Sequence, residues 1–401
     1  MVHEAQILAL FAAAFVCALL LGWLAVLVRL PPLLGYLLAG IAIGPFTPGI
    51  HGNSELAQEF SEVGVILLMF GVGLHFSIDD LWRHRRVALP GAVLQIAVAT
   101  LVGALLAQWW GWSLMSAIVF GLALSVASTV VLLRALEQHT LLDTQGGRIV
   151  VGWLVVEDLV MVLALVVLPV MARESADGDW SGIATELALV AAKITAFVVL
   201  MLVGGRRLLP WLLGRIEATG SRELFTLAVL AVALGVAYGA SQVFGISVAL
   251  GAFLAGVVLS ESRLSREAAE KTLPLQDAFA VLFFVAVGML FDPAVLTRSP
   301  LQVLQVLVVV VAIKSLVAVV LVRLFGHSWR TALTIAAGLA QIGEFSFILA
   351  ALAGSLGLLS EQGRDLILAA ALFSISLNPL LFAMLPVTVE DRAHATDRQH
   401  H

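Results

Sequence analysis

The 401 residues are 61% hydrophobic and only 12% charged, about half the charge of an ordinary soluble domain, and the mean hydropathy is +1.05. So little charge cannot cover a water-exposed surface of this size, which excludes a cytosolic enzyme and a disordered chain and points to a polytopic membrane protein. A single cysteine, Cys17, excludes a disulfide framework and cysteine-held metal or iron–sulfur centres. A net charge of −5 without any basic tract gives no sign of nucleic-acid binding.

About 20 apolar residues cross a bilayer as a helix, and only helices or closed barrels satisfy the backbone there. The alternating ten-residue pattern of a barrel is absent. Thirteen spans are predicted, over 6–28, 32–46, 57–76, 87–109, 114–136, 147–171, 183–204, 223–244, 246–260, 275–291, 301–324, 331–355 and 363–387. The first has no Lys or Arg before its apolar run and outlasts a signal-peptide core, so it reads as a retained span. Pro31–Pro32, Gly44–Pro45, Gly49, Gly220, Pro293 and Pro300 punctuate the boundaries.

Thirteen spans place 17 Lys and Arg residues on one side and only Arg173, Arg298 and Arg364 on the other. The positive-inside rule then puts the N-terminus outside and the C-terminus in the cytoplasm. Two motifs recur at nearly one offset. Leu34–Gly40 (LGYLLAG) matches Leu250–Gly256 (LGAFLAG), and Val72–Phe76 (VGLHF) matches Val287–Phe291 (VGMLF). They pair spans 2 and 9, and 3 and 10. The seventh span is left as a connector between two six-span halves that enter the membrane from opposite sides, the inverted repeat of secondary transporters.

Charges inside spans cost between ~3 and well over 10 kcal/mol at the bilayer centre, and each needs a reason. Glu157 and Asp158 are adjacent in span 6, pointing about 100° apart on a helix. One faces a cavity while the other turns to a neighbouring helix. Lys314, centred in span 11, is their natural counter-charge, and a nearby carboxylate lets a buried lysine stay ionised. A purely structural ion pair is the competing reading. Lys193 in span 7 reads as structural, with Glu186 a turn or two away or its ammonium snorkelling to the interface. Glu344 lies beside Gly338, Gln341 and Gly343, a composition that suggests a helix breaking in mid-span and freeing carbonyls and half-helix dipole ends. Span 5 carries Ser125, Ser128 and Thr129 at similar depth. His75 reads as interfacial. No H-E-x-x-H, G-x-S-x-G, P-loop or T-V-G-Y-G pattern occurs, so no catalytic or channel motif competes.

The segments LPPLLGYLLAGIAIGP, SEVGVILLMFGVGLHFS, LALSVASTVVLLRAL, VVEDLVMV and GLAQIGEFSFILA together resemble the Kef-type monovalent cation:proton antiporters of the second cation:proton antiporter family. The likeness runs from about residue 8 to 387. It implies an all-α sodium–proton antiporter fold of thirteen helices, in which spans 5 and 12 are crossing broken helices. It also implies a homodimer in a bacterial inner membrane, working by an elevator motion without a cofactor. Residues of about 6–76 and 223–291 would form the dimerisation part, about 87–171 and 301–387 the core, and 183–204 the linker.

By the same resemblance Asp158 matches the family's essential ion-binding aspartate, with Glu157 beside it as the second cation- and proton-binding residue, and Lys314 matches the basic residue opposite, their salt-bridge partner. Ser128, Thr129, Gln341 and Glu344 would be crossing-helix ligands, and potassium is the favoured cation over sodium. Glu157 departs from the Asp, Asn or Gln common before the aspartate, which leaves stoichiometry open. Kef-type proteins often add a cytoplasmic nucleotide-binding regulatory domain, and this sequence ends in a short tail, 388–401; such a domain or subunit lies beyond it or is dispensed with. Asp158 would bind a proton or a desolvated cation in turn. The rival reading is a gated potassium efflux channel.

Overall fold

The computed structural model describes residues 2–47, 54–75, 78–142, 144–177 and 183–385. The predicted tail 388–401, Phe76 and the side chains of His75 and Glu186 lie outside what it describes. In chain order the first helices are α1 (Val2–Leu27), α2 (Pro32–Ile43), α3 (Ser54–His75), α4 (Ile78–Trp109), α5 (Leu114–Ser125) and α6 (Thr129–Gln138). Next come α7 (Gln145–Asp177), α8 (Ile183–Leu200), α9 (Arg206–Glu217), α10 (Arg222–Gly239), α11 (Val248–Ser260) and α12 (Ser265–Met289). The last are α13 (Val295–Arg298), α14 (Pro300–Val308), α15 (Lys314–Leu324), α16 (Trp329–Leu339), α17 (Glu344–Ser355) and α18 (Glu361–Ala383).

The chain is an all-helical polytopic membrane protein. Among the described residues, nine helical stretches are long and apolar enough to cross a membrane, and shorter apolar helices run over Pro32–Ile43, Glu62–Leu74, Leu114–Ser125 and Val248–Ser260. The spans predicted from apolarity fall on these helices. Segments 114–136 and 331–355 are each interrupted, at Val126–Ser128 and at Ala340–Gly343, the two spans that the resemblance implies to be broken. Segment 183–204 does not stop at its Gly204–Gly205 pair, because a π-helical turn, Met201–Gly205, carries the rod on into α9. Segment 275–291 starts ten residues early, since Ser265–Lys271 are polar and helical and escape a search for apolar runs.

Serine side chains begin many of these helices. Ser113, Ser128, Ser221, Ser247, Ser328 and Ser360 each accept a backbone amide two or three residues on. Each satisfies one of the amides that a helix start leaves without a partner.

Backbone proximity divides the chain into two units. The first holds residues 1–26, 32–78 and 162–292, with α3 packed on α11 and α12, and α2 on α12. Its core includes Leu10, Ala14, Ala39, Ile43, Leu282 and Met289. Here the recurrent sequence motifs meet each other crosswise. A Cβ on Gly40 would strike the Val285 carbonyl and lie 2.8 Å from Gly288 Cα; one on Gly256 would strike the Phe70 carbonyl and lie 2.9 Å from the Gly73 carbonyl carbon. Only glycine allows the backbones to come this close.

The second unit holds residues 27–31, 79–161 and 293–401. Its core packs Trp153, Leu132, Leu136, Ile335, Leu339 and Phe382, and it contains every predicted site residue.

Candidate ion-binding site

Two helices break in the middle of this second unit, and the breaks touch. Between α5 and α6, residues Val126 to Ser128 run extended; between α16 and α17, Ala340 to Gly343 leave the helix. The Gly343 amide donates to the Val126 carbonyl at 3.2 Å, and Gln341 Nε2 donates to the Ser128 carbonyl at 3.3 Å. A Cβ on Gly343 would sit 2.6 Å from the Ala127 carbonyl carbon and 2.8 Å from Ser128 N. A broken helix buried in apolar surroundings exposes backbone groups that water cannot reach, so each needs a partner from the protein.

Four side chains from four other helices supply those partners. On α7, Glu157 Oε2 accepts the Ala127 amide at 2.9 Å. On α15, Lys314 Nζ donates to the Gln341 carbonyl at 2.8 Å. Gln95 on α4 donates to the Ser125 carbonyl at 3.0 Å, and Ser374 on α18 accepts the Ile342 amide at 3.3 Å. The charges follow the half-helix dipoles: the carboxylate faces the amide end that opens α6, and the ammonium faces the carbonyl end of α16. Asn378 on α18 adds a 2.8 Å bond to the Ala337 carbonyl.

Asp158 lies beside this scaffold. It is 5% exposed; its Oδ2 accepts the Thr129 hydroxyl at 3.2 Å, and its Oδ1 is buried without a hydrogen-bond partner. Glu157 and Glu344 are the carboxylates whose charge reaches it. Glu344, the first residue of α17, is 1% exposed, and Ser128 lies against its carboxylate, yet neither oxygen completes a hydrogen bond. Ser128 Oγ itself accepts the Val131 amide at 3.2 Å.

All seven predicted site residues thus gather at the two breaks. Lys314 stands within electrostatic reach of Glu157 but forms no direct ion pair among the described residues; its near partner is a carbonyl. Lys193 is exposed, with its ammonium close to Gly245 at the end of the α10 rod. Gln95, Ser374 and Asn378 were missed from the sequence, although each is a polar residue inside an apolar run. Among the described residues no three His, Cys, Asp or Glu side chains converge as a metal-holding group. An apolar cavity of about 570 Å³, lined by α4, α5 and Val160, opens two residues from Asp158.

The family model described as sodium/hydrogen exchanger, transmembrane, matches residues 11–386. The chain belongs to the sodium/hydrogen exchanger family. This exchanger is a transporter rather than an enzyme, in agreement with the Kef-type resemblance in its sequence, and the membership does not favour the channel reading. It is 58% identical over 385 residues to the putative cation/proton antiporter YbaL of Escherichia coli, covering 96% of this chain and 69% of that one. It is 35% identical over 363 residues to K(+) efflux antiporter 4 of Arabidopsis thaliana, covering 90% of this chain and 60% of that one. Its fold is similar to that of the sodium proton antiporter MjNhaP1 from Methanocaldococcus jannaschii, with a TM-score of 0.67 at 16% identity over 96% of this chain and 99% of that one.

Proposed function

We propose that this exchanger trades a monovalent cation, potassium in preference to sodium, for protons by alternating access, with Asp158 as the shared site. The observation that carries the reading is the Asp158 carboxylate, buried at the contact of two helix breaks with one oxygen held by Thr129 and the other free. A proton and a desolvated cation compete for that oxygen, and competition alone couples their movement. Ser128, Thr129, Gln341, Glu344 and the carbonyls released at the breaks line the site, with Lys314 and Glu157 holding the backbone around it. An empty, ionised Asp158 is costly to carry past an apolar barrier, which suppresses leak. The potassium preference draws on the name of the plant relative.

The wider arrangement follows the same reading. Thirteen spans form two inverted repeats, for which the crosswise meeting of Gly40 with Gly288 and of Gly256 with Gly73 is the support. The excess of Lys and Arg puts the N-terminus outside a bacterial inner membrane and the C-terminus in the cytoplasm. The core, about 87–171 and 301–387, moves against a dimerisation part, about 6–76 and 223–291, in a homodimer with 183–204 as linker. A nucleotide-binding regulatory domain or subunit is the expected further partner.

Proteoliposomes holding a pH dye test the reading. Adding potassium or sodium outside should change the internal pH in wild type and leave it unmoved in Asp158→Asn reconstituted to the same density. Retained cation-driven proton movement in the variant would refute the site.

A further inference from the structure

The two helix breaks differ in what makes them. At the second, Gly338 and Gly343 flank the gap, and glycine is a poor helix former. The first has no such signal. From Leu122 to Gln138 the chain holds neither glycine nor proline, so no local breaker stops α5 from winding on into α6.

Tertiary bonds stop it instead. In a continuous helix the Ala127 amide would donate to the Ala123 carbonyl, and the Ser125 and Val126 carbonyls would accept the amides of Thr129 and Val130. In the structure the Ala127 amide donates to Glu157 at 2.9 Å, the Ser125 carbonyl accepts Gln95 Nε2 at 3.0 Å, and the Val126 carbonyl accepts the Gly343 amide at 3.2 Å. The backbone is extended at both ends of the gap, with φ −102° and ψ 138° at Val126 and φ −82° and ψ 122° at Ser128. A residue advances about 3.3 Å when extended and about 1.5 Å in a helix, so closing the gap would draw Thr129 about 5 Å toward α5 and away from Asp158.

Of the three partners, Glu157 and Gly343 already belong to the site at the two breaks. Gln95 stands one helix away on α4, fully buried and uncharged, and its Nε2 serves the backbone. We propose that Gln95 is a positioning residue for cation exchange: by holding the Ser125 carbonyl it keeps the first helix broken, and so keeps Ser128 and Thr129 at Asp158. This rests on Asp158 being the shared site. Without Gln95 the Ser125 carbonyl is stranded, and rewinding onto the Thr129 amide satisfies it again. A cation then binds only the broken fraction and pulls the rest back. Apparent affinity falls in proportion to that fraction, while the rate at saturation is kept.

Gln95→Met, of equal length and without a donor, tests this in the dye-loaded liposomes with potassium and sodium. The KM for the cation should rise about tenfold while kcat stays within about twofold. Adding Ala127→Gly should bring the KM back toward wild type, because glycine opposes the rewound helix and keeps the amide that Glu157 accepts. An unchanged KM, or a fall in kcat at unchanged KM, would overturn the proposal, the second by showing damaged protein rather than a shifted population. Failure of the double variant to recover would overturn it as well. Should Gln95→Met alone not fold, the double variant must elute and transport where the single does not, and its failure to do so counts equally against the idea. Exchange surviving in Asp158→Asn would instead sink the reading on which it rests, whatever the Gln95 variants do.

Discussion

Gln95 and Lys314 hold equivalent stations at the two helix breaks: each reaches across from a neighbouring helix to a carbonyl at the end of a half-helix, Ser125 for one and Gln341 for the other. Glu157 and Ser374 form the matching pair on the amide side. One member of each pair is charged and the other neutral. The four residues therefore do one structural job twice, with the charged member on the amide side of one break and on the carbonyl side of the other.

Lys314 can thus be separated into a donor and a charge. Both Lys314→Gln and Lys314→Met leave the Glu157 charge without its counterpart, a loss of about 3–5 kcal/mol, but Lys314→Gln should keep a donor for the Gln341 carbonyl, as Gln95 does at the other break, whereas Lys314→Met strands it. A buried acceptor left without a donor costs about 1–3 kcal/mol, so Lys314→Met should lower the thermal midpoint in detergent more than Lys314→Gln. Equal losses would mean that the charge rather than the donated hydrogen bond carries the stability.

Gly343 is where the two breaks lie closest. Any Cβ there meets backbone atoms of Ala127 and Ser128, which cannot swing aside as a side chain would. Overpacking of this kind costs typically about 1–3 kcal/mol, and relief requires the breaks to part. Gly343→Ala should lower the melting point and abolish cation-driven proton movement, although no proposed ligand is altered. Wild-type exchange in that variant would show that the close approach is dispensable.

His139 ends α6 and stacks on Phe382 of α18, with ring centroids 5.6 Å apart and planes 19° from parallel. Partial burial holds its imidazole below the ordinary value of 6.5. The folded state therefore binds its proton less readily than the unfolded state, so stability rises with pH. It should be complete above about pH 6.5 and decline as the pH falls below that value. His139→Phe keeps the stack and removes the titration, and its detergent melting point should change less between neutral and mildly acidic pH than that of wild type. An identical acid limb would exclude His139 as the source.

Much of this protein was legible in its residues. Apolar length marked where helices run, because a bilayer demands uninterrupted apolar stretches. Charges in such stretches are too costly to be incidental, which singled out Glu157, Asp158, Lys314 and Glu344. The glycine-rich motifs at one offset pointed to paired halves. Neutral polar residues escaped: Gln95, Ser374 and Asn378 are cheap enough to bury that their presence in a span demands no explanation until the carbonyl or amide they satisfy is seen. The polar start of α12 and the π turn through Gly204–Gly205 escaped for a related reason, since helices continue wherever their backbone bonds are met, whatever the hydropathy.

Tertiary structure decided the pairings. Opposite charges on two spans suggested that Lys314 would meet Glu157 or Asp158 directly, but Lys314 and Glu157 each bind the backbone of a different break. An unsatisfied peptide group in an apolar core is as demanding as an unpaired charge, and hydropathy carries no record of where the chain leaves its helix. The sequence by itself determined which residues the membrane would not tolerate without a purpose. Only the folded chain determined which carbonyl or amide each one serves, because those partners exist only once the two helices have broken against each other.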